Sequence, residues 1–179
     1  GANYQNTQTY AAKYADIGTQ SFHPVKNITT GEGGAVITRN NELFKKIETY
    51  RSHCIVKNMK TRSEGRWKYD VLDLGYNYRI NDIECALGSS QLKKIKKFLK
   101  KRRNIAEIYN KHLSNLNSCI SPKIKKNLGI KHAFHLYPFQ IDFKALKILK
   151  KDFFNFFYKN KINLQVHYVP IYKFSCFKK

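Results

Sequence analysis

No run of eighteen apolar residues occurs in this chain, so no segment reads as a membrane-spanning helix. The opening stretch, GANYQNTQTY, is polar and has no apolar central segment, so no secretory leader is expected. Cysteine is sparse and scattered. Cys54, Cys85, Cys119 and Cys176 form no C-x-x-C pair, which argues against a zinc site or a disulfide frame and for free thiols in a reducing compartment. The histidines show no metal-ligand spacing. No internal repeat and no low-complexity tract is present. Acid is scarce: 12 Asp plus Glu stand against 34 Lys plus Arg, a net charge of +22.

Such an excess of base usually suggests an anionic partner. No nucleic-acid motif accompanies it. The lysines of QLKKIKKFLKKRR and FKALKILKKDF alternate with apolar residues, the pattern of a solvated helix face. A basic nucleic-acid-binding module is therefore the weaker rival, and no nucleic acid and no membrane are expected as partners. At 179 residues, 42% hydrophobic and 14% aromatic, the chain can build a core and is not of disordered composition. Neither GANYQN nor IYKFSCFKK reads as a natural domain edge, so a part of a longer protein is expected.

The periodicities predict strands at 16–22 and 34–38, and a helix from an Asn41 cap carrying Leu43, Phe44, Ile47 and Tyr50. Residues 57–72 have no clean period and read as a mobile excursion. Asn81 and Glu84 form a capping-box pattern before a long helix with Ile83, Leu87, Leu92, Ile95, Leu99, Ile105, Ile108, Tyr109 and Leu113, in which Gly88 is a weak point. Residues 115–129 read as loop and 132–143 as a strand. A helix over 144–159 turns Leu146, Leu149, Phe153, Phe156 and Phe157 inward. A last strand at 163–168 ends at Pro170. This order predicts an α/β or α+β fold.

One stretch carries chemistry: Ser21 to Gly34, SFHPVKNITTGEGG. Lys26 follows a strand, has the apolar or rigid neighbours Pro24, Val25 and Ile28, and precedes glycines that let backbone approach a ligand. Desolvation would lower its pKa and free its lone pair for a Schiff base. Ser21 and adjacent N–H groups could hold a phosphate. In a lysine-rich chain, the plain alternative is one more solvated lysine.

The stretch resembles the lysine segment of the pyridoxal-phosphate-dependent sugar aminotransferases, the DegT/DnrJ/EryC1/StrS family. GYNYRINDIECALGSSQL resembles that family's second signature, and QVHYVPIY a third. The similarity spans residues 1–179. It implies a PLP-dependent transferase fold of type I (aspartate aminotransferase-like), here incomplete: residues 1–75 the C-terminal part of the large domain, 76–115 a connecting helix, and 116–179 most of the small α+β domain. It implies pyridoxal 5'-phosphate as cofactor, with Lys26 forming the Schiff base and shuttling protons, Ser21 bonding the phosphate, and Asn77 reaching the phosphate region of a neighbouring subunit's site. Gln165, Val166, His167 and Tyr168 would contact the sugar nucleotide; plain strand packing is the alternative for them. Within the family, the segments look most like members that aminate C4 of a UDP-4-keto-6-deoxy-N-acetylhexosamine toward pseudaminic acid, with glutamate as donor and 2-oxoglutarate as product, in a cytoplasmic homodimer.

Weaker expectations concern the neighbours. His23 would position the loop, and Glu32 would cap a turn. Arg79 would pair a phosphate or a carboxylate. Tyr76 and Tyr78 would pack at an interface or meet substrate. His132 and His135 would lie on a half-exposed strand. The segment 57–70 differs from the family and could alter a lid. The family's pyridine-nitrogen carboxylate and ring-stacking residue would fall before Gly1. The 179 residues alone are therefore expected to be inactive, poorly soluble and open at their sheet edges, while the longer protein would be active. A truncated, inactive remnant is the other possibility.

Overall fold

The computed structural model describes residues 2–4, 7–8, 14–56, 63, 65–121 and 129–177. They form two compact units: Gly1–Arg103 with Lys125–His135, and Asn104–Ile124 with Leu136–Lys179. No described helix is long and apolar enough to cross a membrane. All four cysteines are free.

In the first unit, β1 (Asn3–Tyr4) pairs antiparallel with β2 (Thr7–Gln8). The main hairpin is β3 (Ile17–Ser21) with β4 (Gly34–Thr38), in register from Ile17 opposite Thr38 to Ser21 opposite Gly34. The helix α1 (Asn41–Arg51) follows. Its cap is Asn40, one residue before the expected Asn41. Asn40 is extended (φ −85°, ψ 116°), and its Oδ1 accepts from Glu42 N at 2.8 Å and Leu43 N at 3.2 Å, so it satisfies two of the helix's orphan donors.

Of the expected excursion at 57–72, residues 57–62 and 64 lie outside the described residues. The rest is partly ordered into structure: β5 (Ile55–Val56) pairs with β6 (Asp70–Val71). The capping box forms as expected. Glu84 N donates to Asn81 Oδ1 at 2.9 Å, and Asn81 N donates to the Glu84 carboxylate at 3.4 Å. It starts α2 (Asp82–Leu113).

α2 runs unbroken through Gly88. A Cβ there would come 2.8 Å from the γ-methyl of Thr30, so glycine lets the helix lie on the β3–β4 loop. The half-buried stripe of α2 is Gly88, Gln91, Ile95, Phe98, Leu99, Arg102 and Ala106. Ile83, Leu87, Leu92, Ile105 and Ile108, read from their spacing as one inward face, stand exposed. Helical period locates a face but not which of two apolar faces meets a neighbour.

In the second unit, β7 (Cys119–Ile120) pairs with β8 (Gln140–Ile141), and Asp142 N extends the ladder to Ser118 O at 2.9 Å. The expected strand over 132–143 is thus reduced to two residues. Phe134, at φ 45°, leaves the extended region. The expected loop at 115–129 contributes β7; residues 122–128 lie outside the described set.

The helix α3 runs only over Lys150–Lys159. Before it, Asp142 Oδ1 accepts from Lys144 N at 3.0 Å and Ala145 N at 2.9 Å, and one turn closes at Lys147, φ 53°. This Asx-capped turn competes with an earlier helix start. Phe153 packs on Phe143 and Phe157 at centroid distances of 5.4 and 4.7 Å. Phe156, expected inward, is exposed, as are Leu146 and Leu149. The expected strand at 163–168 has no ladder partner among the described residues.

Candidate active site

The loop from Phe22 to Gly33 is fastened at its base. Phe22 N donates to Gly33 O at 2.9 Å, Thr30 N to Phe22 O at 3.0 Å, and Thr29 Oγ1 to Phe22 O at 2.8 Å. Thr29 Oγ1 accepts in turn from Gly31 N at 2.9 Å. Thr30 is 4% exposed, and its hydroxyl donates to Glu32 O. Gly33, at φ 135°, needs to be glycine: a Cβ would meet Thr30 Oγ1 at 2.6 Å and Ile80 at 3.1 Å. The TTGEGG half of the motif is thus a base plate pressed on α2. Glu32 takes part through its carbonyl rather than by capping a turn with its side chain.

The SFHPVK half builds a tight turn on that plate. Lys26 N donates to His23 O at 2.9 Å, with Pro24 at the second turn position, where its fixed φ is favoured. His23 does position the loop. Its Nδ1 accepts from Val25 N, and its own N–H donates to Ser21 Oγ, both at 3.4 Å. The turn brings Ser21 and Lys26 onto one loop, with Ser21 exposed and Lys26 half-buried.

One residue that sequence reasoning did not connect with the lysine touches it, and three more hold the segment that carries that residue. His135 Nε2 lies 3.4 Å from Lys26 Nζ. Asn27 Nδ2 donates to Ala133 O at 3.4 Å, while its buried Oδ1 has no hydrogen-bond partner. Arg102 Nη1 donates to Phe134 O at 3.1 Å and His135 O at 3.3 Å, and Arg103 Nε donates to His132 O at 3.0 Å. The segment 132–135 is a strap clamped by two arginines, not a half-exposed strand. A signal existed. Among the eight cations of QLKKIKKFLKKRR, the six lysines are exposed and the two arginines are half-buried. Only Arg carries a planar fork of donors suited to fixed carbonyls.

Asn77 sits on a second loop, Gly75–Arg79, laid along the end of α1. Tyr76 N donates to Tyr50 O at 2.8 Å, His53 N to Tyr76 O at 2.9 Å, and Tyr78 N to Arg51 O at 3.0 Å, so Asn77 bridges Ser52. A Cβ on Gly75 would fall on the backbone of His53 and Cys54. The Tyr76 and Tyr78 rings stack at 4.7 Å with 13° between planes, and both stand exposed. Tyr50 OH donates to the Asp73 carboxylate, whose other oxygen accepts from Leu74 N at 2.7 Å. These bonds hold the Asp73 carboxyl below its ordinary pKa, and the hydrogen bond to Asp73, then the Asp73 charge, hold the Tyr50 phenol above its own. Burial pushes the Cys54 thiol up, which leaves it an inert packing group.

Gln165, Val166, His167 and Tyr168 lie in the second unit without a ladder. They are exposed, and the His167 and Tyr168 rings stack at 4.2 Å.

The first unit offers pyridoxal phosphate a primary amine at the end of a rigid turn. Ser21 is exposed at the end of β3, where the loop begins, and a Cβ added at Gly31 would meet nothing within 4 Å. These donors fit the cofactor's aldehyde and phosphate ends.

A family model described as the DegT/DnrJ/EryC1/StrS aminotransferase family matches residues 1–179. A UDP-4-amino-4,6-dideoxy-N-acetyl-beta-L-altrosamine transaminase of Campylobacter jejuni is 43% identical, over 100% of this chain and 45% of its own length. The Helicobacter pylori protein of the same name is 37% identical over 99% of this chain and 44% of its own. The solved structure of Helicobacter pylori PseC, an aminotransferase of pseudoaminic acid biosynthesis, superposes with a TM-score of 0.84 at 34% identity, covering 99% of this chain and 45% of that one. The chain spans about half the length of the curated relatives it matches. The fold is that of the type I pyridoxal-phosphate aminotransferases, in part, and pyridoxal 5'-phosphate is the family's cofactor. The chain belongs to the DegT/DnrJ/EryC1/StrS aminotransferase family.

Proposed function

We propose that this chain is part of a pyridoxal-phosphate aminotransferase that places an amino group on C4 of a UDP-4-keto-6-deoxy-N-acetylhexosamine. Glutamate would be the donor and 2-oxoglutarate the by-product, in the pathway to pseudaminic acid. The observation that carries this reading is the 43% identity, over the whole chain, to a transaminase named for such an amino sugar. The bound cofactor would supply an electron sink for the substrate's Cα–H or C4–H bond.

Lys26 would bind the cofactor's aldehyde carbon. Once released, its amine would carry the proton between substrate carbon and cofactor. Ser21 would donate to the phosphate from the open end of the loop. Asn77 would serve the phosphate region of a neighbouring subunit, which makes the reading a homodimer with shared sites. Gln165, Val166, His167 and Tyr168 would line the sugar-nucleotide pocket. In domain terms, residues 1–75 would close the large domain, 76–115 connect, and 116–179 form most of the small one. The free thiols suit a cytoplasmic setting.

The test is an absorbance spectrum of the purified full-length protein with pyridoxal phosphate, then borohydride reduction and peptide mapping. A visible band and a reduced adduct on Lys26 are expected. Lys26→Ala should abolish the adduct and lower kcat by about 10²-fold or more, the weight of a positioned acid–base group. An adduct spread over other lysines, or none, overturns the cofactor reading. Turnover with a different keto sugar only would overturn the substrate.

A further inference from the structure

We propose that His135 is a positioning residue for Lys26: the neutral imidazole accepts a hydrogen bond from the Lys26 amine through Nε2 and fixes where that amine rests when it carries no ligand. The proposal rests on Lys26 as the reactive amine, and deepens that reading.

Five observations converge. The Nζ–Nε2 distance is 3.4 Å, across a separation of 109 residues in sequence, with both groups half-buried. Toward a Lys26 ammonium, which only donates, the contact is attractive when Nε2 is bare and the ring proton sits on Nδ1, and this is the tautomer the proposal assigns; with the opposite tautomer a neutral amine would accept from Nε2–H instead. The ring is not placed by a loose loop. Arg102 Nη1 donates to the Phe134 and His135 carbonyls, which flank the His135 α-carbon, at 3.1 and 3.3 Å. His132 is held by Arg103 at 3.0 Å, and its Nδ1 accepts from Phe134 N at 2.9 Å. Phe134, at φ 45°, turns the strap in a conformation that non-glycine residues rarely take. Finally, Asn27, the residue after the lysine, is tied to the same strap through Ala133 O. The two arginines of α2, the strap and the lysine turn therefore form one assembly whose end point is the Lys26 amine. A long, flexible lysine side chain loses rotamer freedom whenever it reacts; an acceptor that already holds the amine removes part of that cost beforehand.

The experiment is competitive trace acylation of the full-length protein with acetic anhydride at fixed pH, without cofactor. Peptide mass spectrometry then compares Lys26 with the exposed α2 lysines, Lys93 to Lys101, as internal references. In His135→Ala the Lys26 amine should acylate roughly three- to tenfold faster relative to those lysines, the size of one lost hydrogen bond. His135→Gln offers a carbonyl acceptor from a side chain of similar reach and should restore the wild-type ratio. Equal Lys26 labelling in wild type and His135→Ala overturns the proposal. So does an equal rise in both variants, which would mean shielding by the ring. An unchanged far-UV circular dichroism spectrum and urea-unfolding midpoint show that the variant is folded, and His135→Gln stands as the second arm if alanine unfolds it. The cofactor adduct is read separately. A wild-type protein that forms no adduct on Lys26 sinks the cofactor reading, whereas the labelling ratios alone decide His135.

Discussion

Gly88 shows how one missing methyl positions the lysine loop. Thr30 cannot swing away from α2: its side chain is β-branched, buried, and tied through its hydroxyl to Glu32 O. A Cβ on Gly88 would press on its methyl at 2.8 Å. Two effects compete in Gly88→Ala. Helix propensity gains about 1 kcal/mol, and overpacking costs about 1–3 kcal/mol. The clash should win in the wild-type background, with net destabilisation of about 1 kcal/mol in urea unfolding of the full-length protein. Thr30→Ser keeps the hydroxyl and deletes the methyl, so in that background the same substitution should stabilise by up to about 1 kcal/mol. No sign reversal would mean that the Thr30 contact does not explain Gly88. At this scale the turn that carries Lys26 was legible, because its residues are contiguous in sequence. His135 was not, because its contact lies across 109 residues and nothing local in HAFHLYP announces it.

Among the elements, those with local causes were legible. The β3–β4 strands, the capping box and the long helix follow from alternation, Asn81 with Glu84, and the 3.6 period. The segments 132–143, 144–149 and 163–168 failed for a common reason: their patterns fit a regular element, but the outcome depended on partners elsewhere or on one competing side chain. Arg102 and Arg103 pull the first out of a strand, Asp142 pre-empts the second with a turn, and the third has no neighbouring strand among the described residues. The Gly75–Arg79 loop makes a pH prediction. Asp73 is depressed chiefly by the Tyr50 hydroxyl, so its share of the loop's stability is present above the ordinary aspartate pKa. That share is lost as pH falls below about 4 through the lowered value. Tyr50 is raised, so the opposite limb appears as pH climbs past about 10. Exchange protection of the Tyr76 and Tyr78 amides, corrected for intrinsic rates, should therefore drop on acidification below about pH 4. Tyr50→Phe should flatten that limb. An unchanged acid limb in Tyr50→Phe would show that the hydroxyl is not what ties Asp73.

For the molecule as a whole, area decides. A folded monomer of 21.0 kDa exposes roughly 9000 Å². This chain exposes 15335 Å², and among its described residues only Cys54, Leu99 and Ala106 form a fully buried apolar set. The excess is not only lysine. Leu74 is 90% and Ile83 84% exposed, with Trp67, Tyr76 and Tyr78 nearby in sequence, and every described strand pair is two-stranded, so each strand keeps an open edge. Exposed apolar area on this scale marks surfaces meant to be covered. The net charge of +22 opposes self-association only while its repulsion is unscreened, over about 10 Å at 0.1 M salt. The 179 residues expressed alone should thus bind 8-anilinonaphthalene sulfonate strongly and aggregate as salt rises through about 0.1 M. Full-length protein should bind little dye and sediment as one species whose size does not change with salt. If the 179 residues alone sediment as a dye-silent 21.0 kDa monomer in high salt, these faces need no cover, and the case for completing the site with further chain or a second subunit loses its physical basis.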